Sequence, residues 1–455
     1  MTHSSQVAQS HPFLTRRNRT ILHLSLPIML SLIAEPVTGL VDTGFVARLG
    51  AVPLAGLGVG TSALSSAFWI FGFLGIATQT DVAQLYGRGR EADAGRALSL
   101  ALAVGIAFSL LLSALLIPGA QIASRALGAE GEVLALAAQY IQLRLLGAPA
   151  VLVVIVGFGA LRGLQDMKTP LWIALAINLA NIVLDYALIF GWAALPGMGV
   201  AGAALASSLS QWLGAAWLLW AVHRRLGLSR DISWRDSFRL LRVSRDLIIR
   251  SGSLTLFLLF ATRVATQLGP EAGAAHQVIR QVWFFTALFV EAFATTAQSL
   301  VGYFYGSGSI DYARQVATST MRWSLAAGMA LMLAMLIATP IVSGALVPAD
   351  ALAVFTLPWI IASVSQPLNA LAFITDGMHW GTGDYRYLRN AMVLATVAGL
   401  VGLQLISFET AASLGAVWLV TVGWIGIRAF FGVLRVHPGI GRSPFRTRVG
   451  GLDSA

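Results

Sequence analysis

Residues 97–118 read ALSLALAVGIAFSLLLSALLIP, a run of 22 positions without a charged side chain. A helix needs about 20 predominantly apolar residues to cross the hydrocarbon core of a bilayer. The same character recurs outward in both directions, giving twelve candidate spans at 21–47, 55–84, 94–118, 132–161, 170–192, 199–223, 247–268, 275–304, 314–345, 353–380, 387–408 and 412–434. Of the 455 residues, 57% are hydrophobic and only 11% charged, and the mean hydropathy is +0.76. Ordinary soluble domains carry roughly 25% charged residues. So few charges cannot cover a water-exposed surface, which excludes a soluble enzyme, a secreted domain, a coiled coil and a disordered chain. The expected class is an all-α polytopic membrane protein.

The chain has no cysteine, hence no disulfide framework, thiolate nucleophile or Cys-based metal site. Its seven histidines are scattered without paired spacing, so neither a metal site nor a cofactor is expected. The first fifteen residues are polar and no small-residue cleavage site follows a short apolar stretch, so no removable signal peptide is expected. The net charge of +10 does not imply a nucleic-acid partner, because the arginines lie between apolar spans, where topology signals lie. With the N-terminus in the cytoplasm, 23 Lys and Arg fall on inside segments and two, Arg48 and Arg125, outside. That bias places both termini inside.

These signals divide the chain into a cytoplasmic tail (1–20), an N-terminal lobe of spans 1–6 (21–223), a cytoplasmic linker (224–246), a C-terminal lobe of spans 7–12 (247–434) and a second tail (435–455). The linker holds seven arginines: Arg224, Arg225, Arg230, Arg235, Arg239, Arg242 and Arg245. The halves repeat. Leu49-Gly50 matches Leu268-Gly269, and Tyr86-Gly87-Arg88-Gly89 matches Tyr305-Gly306-Ser307-Gly308, both at an offset of 219. Gly159-x3-Gly163-x2-Asp166 matches Gly377-x3-Gly381-x2-Asp384 at 218. Each half holds six spans, so both start on the same side, the arrangement of two-lobed transporters with a substrate path between the lobes.

Carboxylates within spans carry the mechanistic reading, because a charge at the bilayer centre costs at least about 2.5–3.5 kcal/mol. Span 1 carries Glu35 and Asp42 on one helix face, with Pro36 between them as a hinge that lacks an amide donor. Span 5 carries Asn178, Asn181 and Asp185 as one stripe. Span 6 adds Ser207, Ser208 and Gln211. Asp42 and Asp185 lie at matching depth in the outer halves of their spans, where burial and like charge favour holding one proton between them. For Asn178 and Ser208 the rival reading is helix–helix glue by hydrogen bonding. In the second half, Asp376 and Glu291 are further pathway candidates, with Arg263, Arg280 and Arg322 as structural ion-pair partners for them. Ala261 stands at the position equivalent to Asp42, so proton handling is expected mainly in the first half. An aromatic cluster, Phe68, Trp69, Phe71 and Phe73, lies in span 2 and is read as lipid-facing or core, with a path for flat lipophilic ligands as the alternative.

Leu40-Val41-Asp42-Thr43 followed by Ala47-Arg48-Leu49-Gly50 resembles the first span of the multidrug and toxic compound extrusion (MATE) family. Leu161-Arg162-Gly163-Leu164-Gln165-Asp166-x2-Thr169-Pro170 resembles its loop between spans 4 and 5, and Asn181-x3-Asp185 with Gly199-Val200-Ala201-Gly202 resembles its spans 5 and 6. Glu35-Pro36 and Asp376-Gly377-x3-Gly381-x-Gly383-Asp384 resemble its DinF-type branch. The resemblance runs from about residue 20 to 435. It implies twelve helices in two six-helix lobes and export of drugs and other organic compounds in exchange for protons or sodium. It also implies a first-lobe cation network on Asp42, Asn181 and Asp185, with Ser207 in place of a family threonine. Span 7 lacks the acidic residue that some branches use for sodium, which favours protons.

The resulting expectation is a monomeric, proton-coupled multidrug antiporter of the bacterial inner membrane, exporting lipophilic or cationic compounds. Sodium remains the alternative coupling ion. The rivals are a lipid-linked or polysaccharide flippase of the same superfamily, a polytopic membrane enzyme and a passive channel.

Overall fold

The computed structural model describes residues 10–193, 195–229, 234–406 and 413–446. Arg230 of the linker, Arg448 of the C-terminal tail and the ends of the last two predicted spans within 407–412 lie outside them. A short helix α1 (Pro12–Thr15) precedes α2 (Arg17–Ala47); α3 (Ala51–Trp69) and α4 (Gly72–Gly87) follow, then α5 (Glu91–Ala126), α6 (Gly131–Leu145), α7 (Ala148–Gly163) and α8 (Lys168–Phe190). A minimal antiparallel hairpin, β1 (Gly191–Trp192) with β2 (Leu195–Pro196), leads into α9 (Val200–Leu226). The chain continues as α10 (Trp234–Gln267), α11 (Pro270–Gly306), α12 (Ile310–Ile337), α13 (Thr339–Leu346), α14 (Leu352–Val364, entered by a 3-10 turn), α15 (Gln366–Thr382), α16 (Tyr385–Gln404) and α17 (Ser413–Val436).

Among the described residues, eight helical stretches are long and apolar enough to cross a membrane, and ten if each of two bent pairs is one passage. The helices α9 and α16, of 27 and 20 residues, complete the expected series of twelve. Their outward faces are apolar: Leu40, Ile122 and Leu405 are each more than 70% exposed. Such faces are stable only against lipid.

The two bent pairs are α6 with α7, at 53°, and α14 with α15, at 45°. Their first members end at Leu145 and Val364, 219 residues apart, the offset of the sequence repeat. Pro149 and Pro367 stand in the first turn after each break. Each lacks an amide hydrogen, and its ring crowds the carbonyl four residues back, which is why the helix turns there. Carbonyls around the first break are satisfied from α9. The Ser208 hydroxyl donates to the carbonyls of Leu143 (3.0 Å) and Arg144 (3.3 Å), and the Trp212 indole donates to that of Leu146 (3.1 Å). Ser208 therefore acts as the hydrogen-bonding glue anticipated for it.

The chain divides into two compact units, Leu26–Leu241 and Met1–Ser25 with Arg242–Ala455. In the first, α4 packs on α7 and α8 on α9; in the second, α11 packs on α15. The glycines of the repeat make these contacts. A Cβ on Gly159 would sit 2.4 Å from the Gly75 carbonyl oxygen, and one on Gly163 2.7 Å from that of Gln79. In the second unit a Cβ on Gly377 would sit 2.1 Å from the Ala294 oxygen, and one on Gly381 2.6 Å from that of Gln298. The contacted residues are again separated by 219 positions, so the repeated glycines perform the same backbone-to-backbone packing in each half.

The acidic end of each motif is also held alike. Asp166 accepts from the Thr169 amide and hydroxyl (3.0 and 2.7 Å) and pairs with Arg225 at 3.4 Å, near the end of α9. Asp384 pairs with Arg435 at 2.8 Å, near the end of α17. Residues 10–25 group with the second unit: Phe13 is fully buried against Phe304, Arg17 donates to Gln315 (2.6 Å), Trp323 to Asn18 (3.1 Å), and Ser25 meets Thr296 at 2.9 Å.

Substituting Gly377→Ala should lower the unfolding free energy of the detergent-solubilised protein by about 1–3 kcal/mol, the cost of overpacking. Gly423→Ala, at a helical site with no atom within 4 Å of a new Cβ, should be near neutral. Paired thermal melts read the difference.

Candidate functional site

The predicted first-half residues converge within the unit Leu26–Leu241. On α8, Asn181 and Asp185 lie one turn apart on the buried face, and the Asn181 amide donates to Asp185 Oδ2 at 3.0 Å. Asp185 is fully buried. Asp42, half-buried on α2, has its carboxyl next to that of Asp185. One oxygen of each carboxyl, Oδ1 in both, is buried without a partner. Gly202 lets α9 close on α8, since a Cβ there would meet the Leu188 carbonyl oxygen at 2.4 Å. The buried Ser207 on α9 lies close to the side chain of Tyr140 on α6.

Tyr140 and Arg144 were not singled out as site residues from the sequence. Tyr140 is 5% exposed and wedged against Gly60, where a Cβ would stand 2.6 Å from its ring. The Arg144 guanidinium lies close to the Tyr140 side chain and within electrostatic reach of Glu35 and Asp42. It also lies over the Phe68 ring at 5.8 Å, which gives one member of the span 2 aromatic cluster a local role. The available signal was an arginine inside a span, four residues after a tyrosine and three before a glycine at the helix break.

The other candidates are placed as follows. Glu35 and Pro36 are exposed on α2, which runs through Pro36 as one helix. Asn178 on α8 and Gln211 on α9 are half-buried, and the Gln211 Oε1 atom has no partner. Phe71 and Phe73 pack on Phe108, whereas Trp69 is 62% exposed.

Asp376 and Glu291 belong to the second unit. Asp376, 5% exposed, is bound by two guanidiniums: Arg250, and Arg428 at 3.0 Å. This corrects the expected partners Arg263, Arg280 and Arg322; Arg280 donates instead to Gln277 at 2.9 Å. Arg250 is one of the 23 basic residues assigned to inside segments from the sequence, but at 7% exposure it is a buried side chain. Its guanidinium lies over Trp380 (5.0 Å), and that of Arg428 over Trp424 (4.6 Å). Glu291 lies within electrostatic range of Arg428.

Two repeated six-helix halves, apolar towards lipid and with an acid cluster buried in one of them, define a polytopic membrane transporter. The MatE family profile matches residues 27–187 and 247–403, and the chain belongs to the MATE family. It is 31% identical to Protein DETOXIFICATION 44, chloroplastic, of Arabidopsis thaliana, over 91% of this chain and 81% of that protein. It is 29% identical to DNA damage-inducible protein F of Escherichia coli, over 93% and 90%. With the probable multidrug resistance protein NorM of Deinococcus radiodurans it shares 30% identity over 96% and 97%. A solved MATE structure in the bent conformation superposes with a TM-score of 0.85 at 21% identity, covering 96% and 97% of the two chains. Members of this family are multi-pass transporters of small molecules rather than enzymes.

Removing one partner of a buried ion pair costs about 3–5 kcal/mol, because a desolvated charge is left alone. Asp376→Asn, which strands two guanidiniums, should therefore reduce folded yield and thermal stability well beyond Asp42→Asn. Size-exclusion profiles and melts of the two variants check this.

Proposed function

We propose that this protein exports organic small molecules in exchange for protons, with Asp42 and Asp185 as the coupling acids. The observation that carries this reading is that Asp185 is fully buried next to the Asp42 carboxyl, with its Oδ1 unpartnered and no ion pair to it among the described residues. Two carboxyl groups packed together away from water do not both stay ionised, so the pair holds a proton. A proton is thus a natural ligand of the cluster, and its departure leaves two anions side by side in a desolvated site. Asn181 holds the buried member of the pair by donating to it at 3.0 Å. Loss or gain of the proton changes whether this bond can persist.

Pro36 is the hinge in this scheme. It cannot donate to the Leu32 carbonyl, so α2 is weakened in the turn 32–36, just before the stretch that carries the coupling acid. Protonation of Asp42 from outside would rearrange its bonds and bend α2 there, expelling substrate. A charge falling through 100 mV supplies about 2.3 kcal/mol, and each pH unit adds about 1.4 kcal/mol, enough for modest uphill export. The 23-to-2 bias of basic residues supports cytoplasmic termini. The bacterial relatives support an inner-membrane location and drug-like, lipophilic or cationic cargo. The transport unit is a single chain, and protons are the only coupling species it requires.

In liposomes, an imposed pH gradient should drive efflux of ethidium. Asp42→Asn and Asp185→Asn should each lower that efflux at least tenfold at equal incorporation. Undiminished pH-driven efflux by either variant defeats its coupling role. Efflux driven by a sodium gradient alone would favour the sodium-coupled reading.

A further inference from the structure

We propose that Arg144 is a built-in counter-ion for the acid cluster. It pairs with Asp42 once the proton leaves and excludes metal cations from the site, which makes exchange proton-selective. This rests on the proton-exchange reading above and names the residue that sets ion choice.

The argument begins from two unpaired atoms. Arg144 Nη1 and Asp42 Oδ1 are both buried and both lack a hydrogen-bond partner. The two side chains are within electrostatic reach of one another, yet no direct ion pair joins them among the described residues. A buried donor and a buried acceptor left unmade in one cluster are costly. Here they complement each other in charge the moment Asp42 ionises. While the carboxyl pair shares its proton, the guanidinium rests over the Phe68 ring, beside Tyr140. Space for it exists because residue 147 is glycine: a Cβ there would lie 3.1 Å from Nη1 and 2.9 Å from the Ser208 Cα.

The charges around Arg144 are few. Its own helix α6 contributes Tyr140, and Glu132 in its first turn. Of the helices packed on α6, which are α3, α5 and α9, α3 carries no charged residue. Those of α5 are Glu91, Asp93, Arg96 and Arg125, near its ends, and those of α9 are confined to its last turn, His223 to Arg225. Glu35 and Asp42 from α2 act on Arg144 directly, and Asp185 from α8 acts on its partner Tyr140. The guanidinium is therefore the one fixed cation of the cluster. With an ionised carboxylate beside it the site is already neutralised, and a sodium ion entering would meet a like charge.

The repeat gives independent support. At the offset of 219, Asp42 corresponds to Ala261 and Arg144 to Ser363. The helix break next to Arg144 recurs in the second half, but both charges are missing there. The arginine occurs where the acid occurs and is not needed to form the break.

The test uses the full chain in liposomes with ethidium as probe, comparing wild type, Arg144→Lys and Arg144→Gln under a pH gradient and, separately, a sodium gradient. The wild-type arm tests proton exchange itself, and a wild type indifferent to the pH gradient overturns that reading. For Arg144→Gln the expected result is a pH midpoint of efflux moved up by about one unit, with sodium now stimulating efflux at least threefold. Arg144→Lys, which keeps a cation, should hold the wild-type midpoint. An Arg144→Gln protein with wild-type pH and sodium responses overturns the counter-ion role while leaving proton exchange standing. Should Arg144→Gln fail to fold, the double variant Arg144→Gln/Asp42→Asn, which removes the stranded anion as well, should restore monodisperse protein. Failure of that rescue also overturns the proposal.

Discussion

An ionisable side chain withdrawn from water must be neutralised, by a proton or by a partner of opposite charge, and this constraint organises both halves of the molecule. In the first half two carboxyl groups, those of Asp42 and Asp185, lie together, with Asn181 donating to the buried member. The second half uses partners: Asp376 is gripped by Arg250 and Arg428, which in turn lie on tryptophan faces. The two solutions have opposite dynamics. A shared proton can leave without dismantling the fold. A carboxylate held between two guanidiniums cannot lose its charge without stranding both. One half is thereby suited to exchange and the other to permanence.

The backbone does not share this asymmetry. Glycines at 159 and 163 press against carbonyls of α4, and glycines at 377 and 381 press against the corresponding carbonyls of α11. The bends after Leu145 and Val364 fall at the same offset, and the acids that close the motifs, Asp166 and Asp384, each bind an arginine of the last helix in their half. Packing between small residues sets the frame, and a handful of polar substitutions decides what each frame does.

Much of this was legible from sequence because membrane helices advertise themselves. Apolar length gave the spans, and the loop arginines and the repeated glycine motif gave the two halves. The stripe Asn181–Asp185 and its meeting with Asp42 followed from helical periodicity and depth. The arginines were harder to read. Arg250 sits only a few residues beyond the run of linker arginines, so its burial against α15 was invisible to a count of charges. Arg428 and Arg144 were recognisable as costly, but which carboxylate each one serves depends on how helices distant in sequence pack. The bend at Leu146 was hidden for a related reason: Pro149 lies in the first turn after it, where proline is well tolerated, so the local sequence reads as uninterrupted helix.

The recurrence of the kinked fourth passage separates frame from chemistry. The bend and its proline occur in both halves, whereas the acid pair and the neighbouring cation occur in one half only. Exchanging a residue of that trio therefore leaves the duplicated frame intact, so the polar site can drift in sequence independently of the scaffold that bears it.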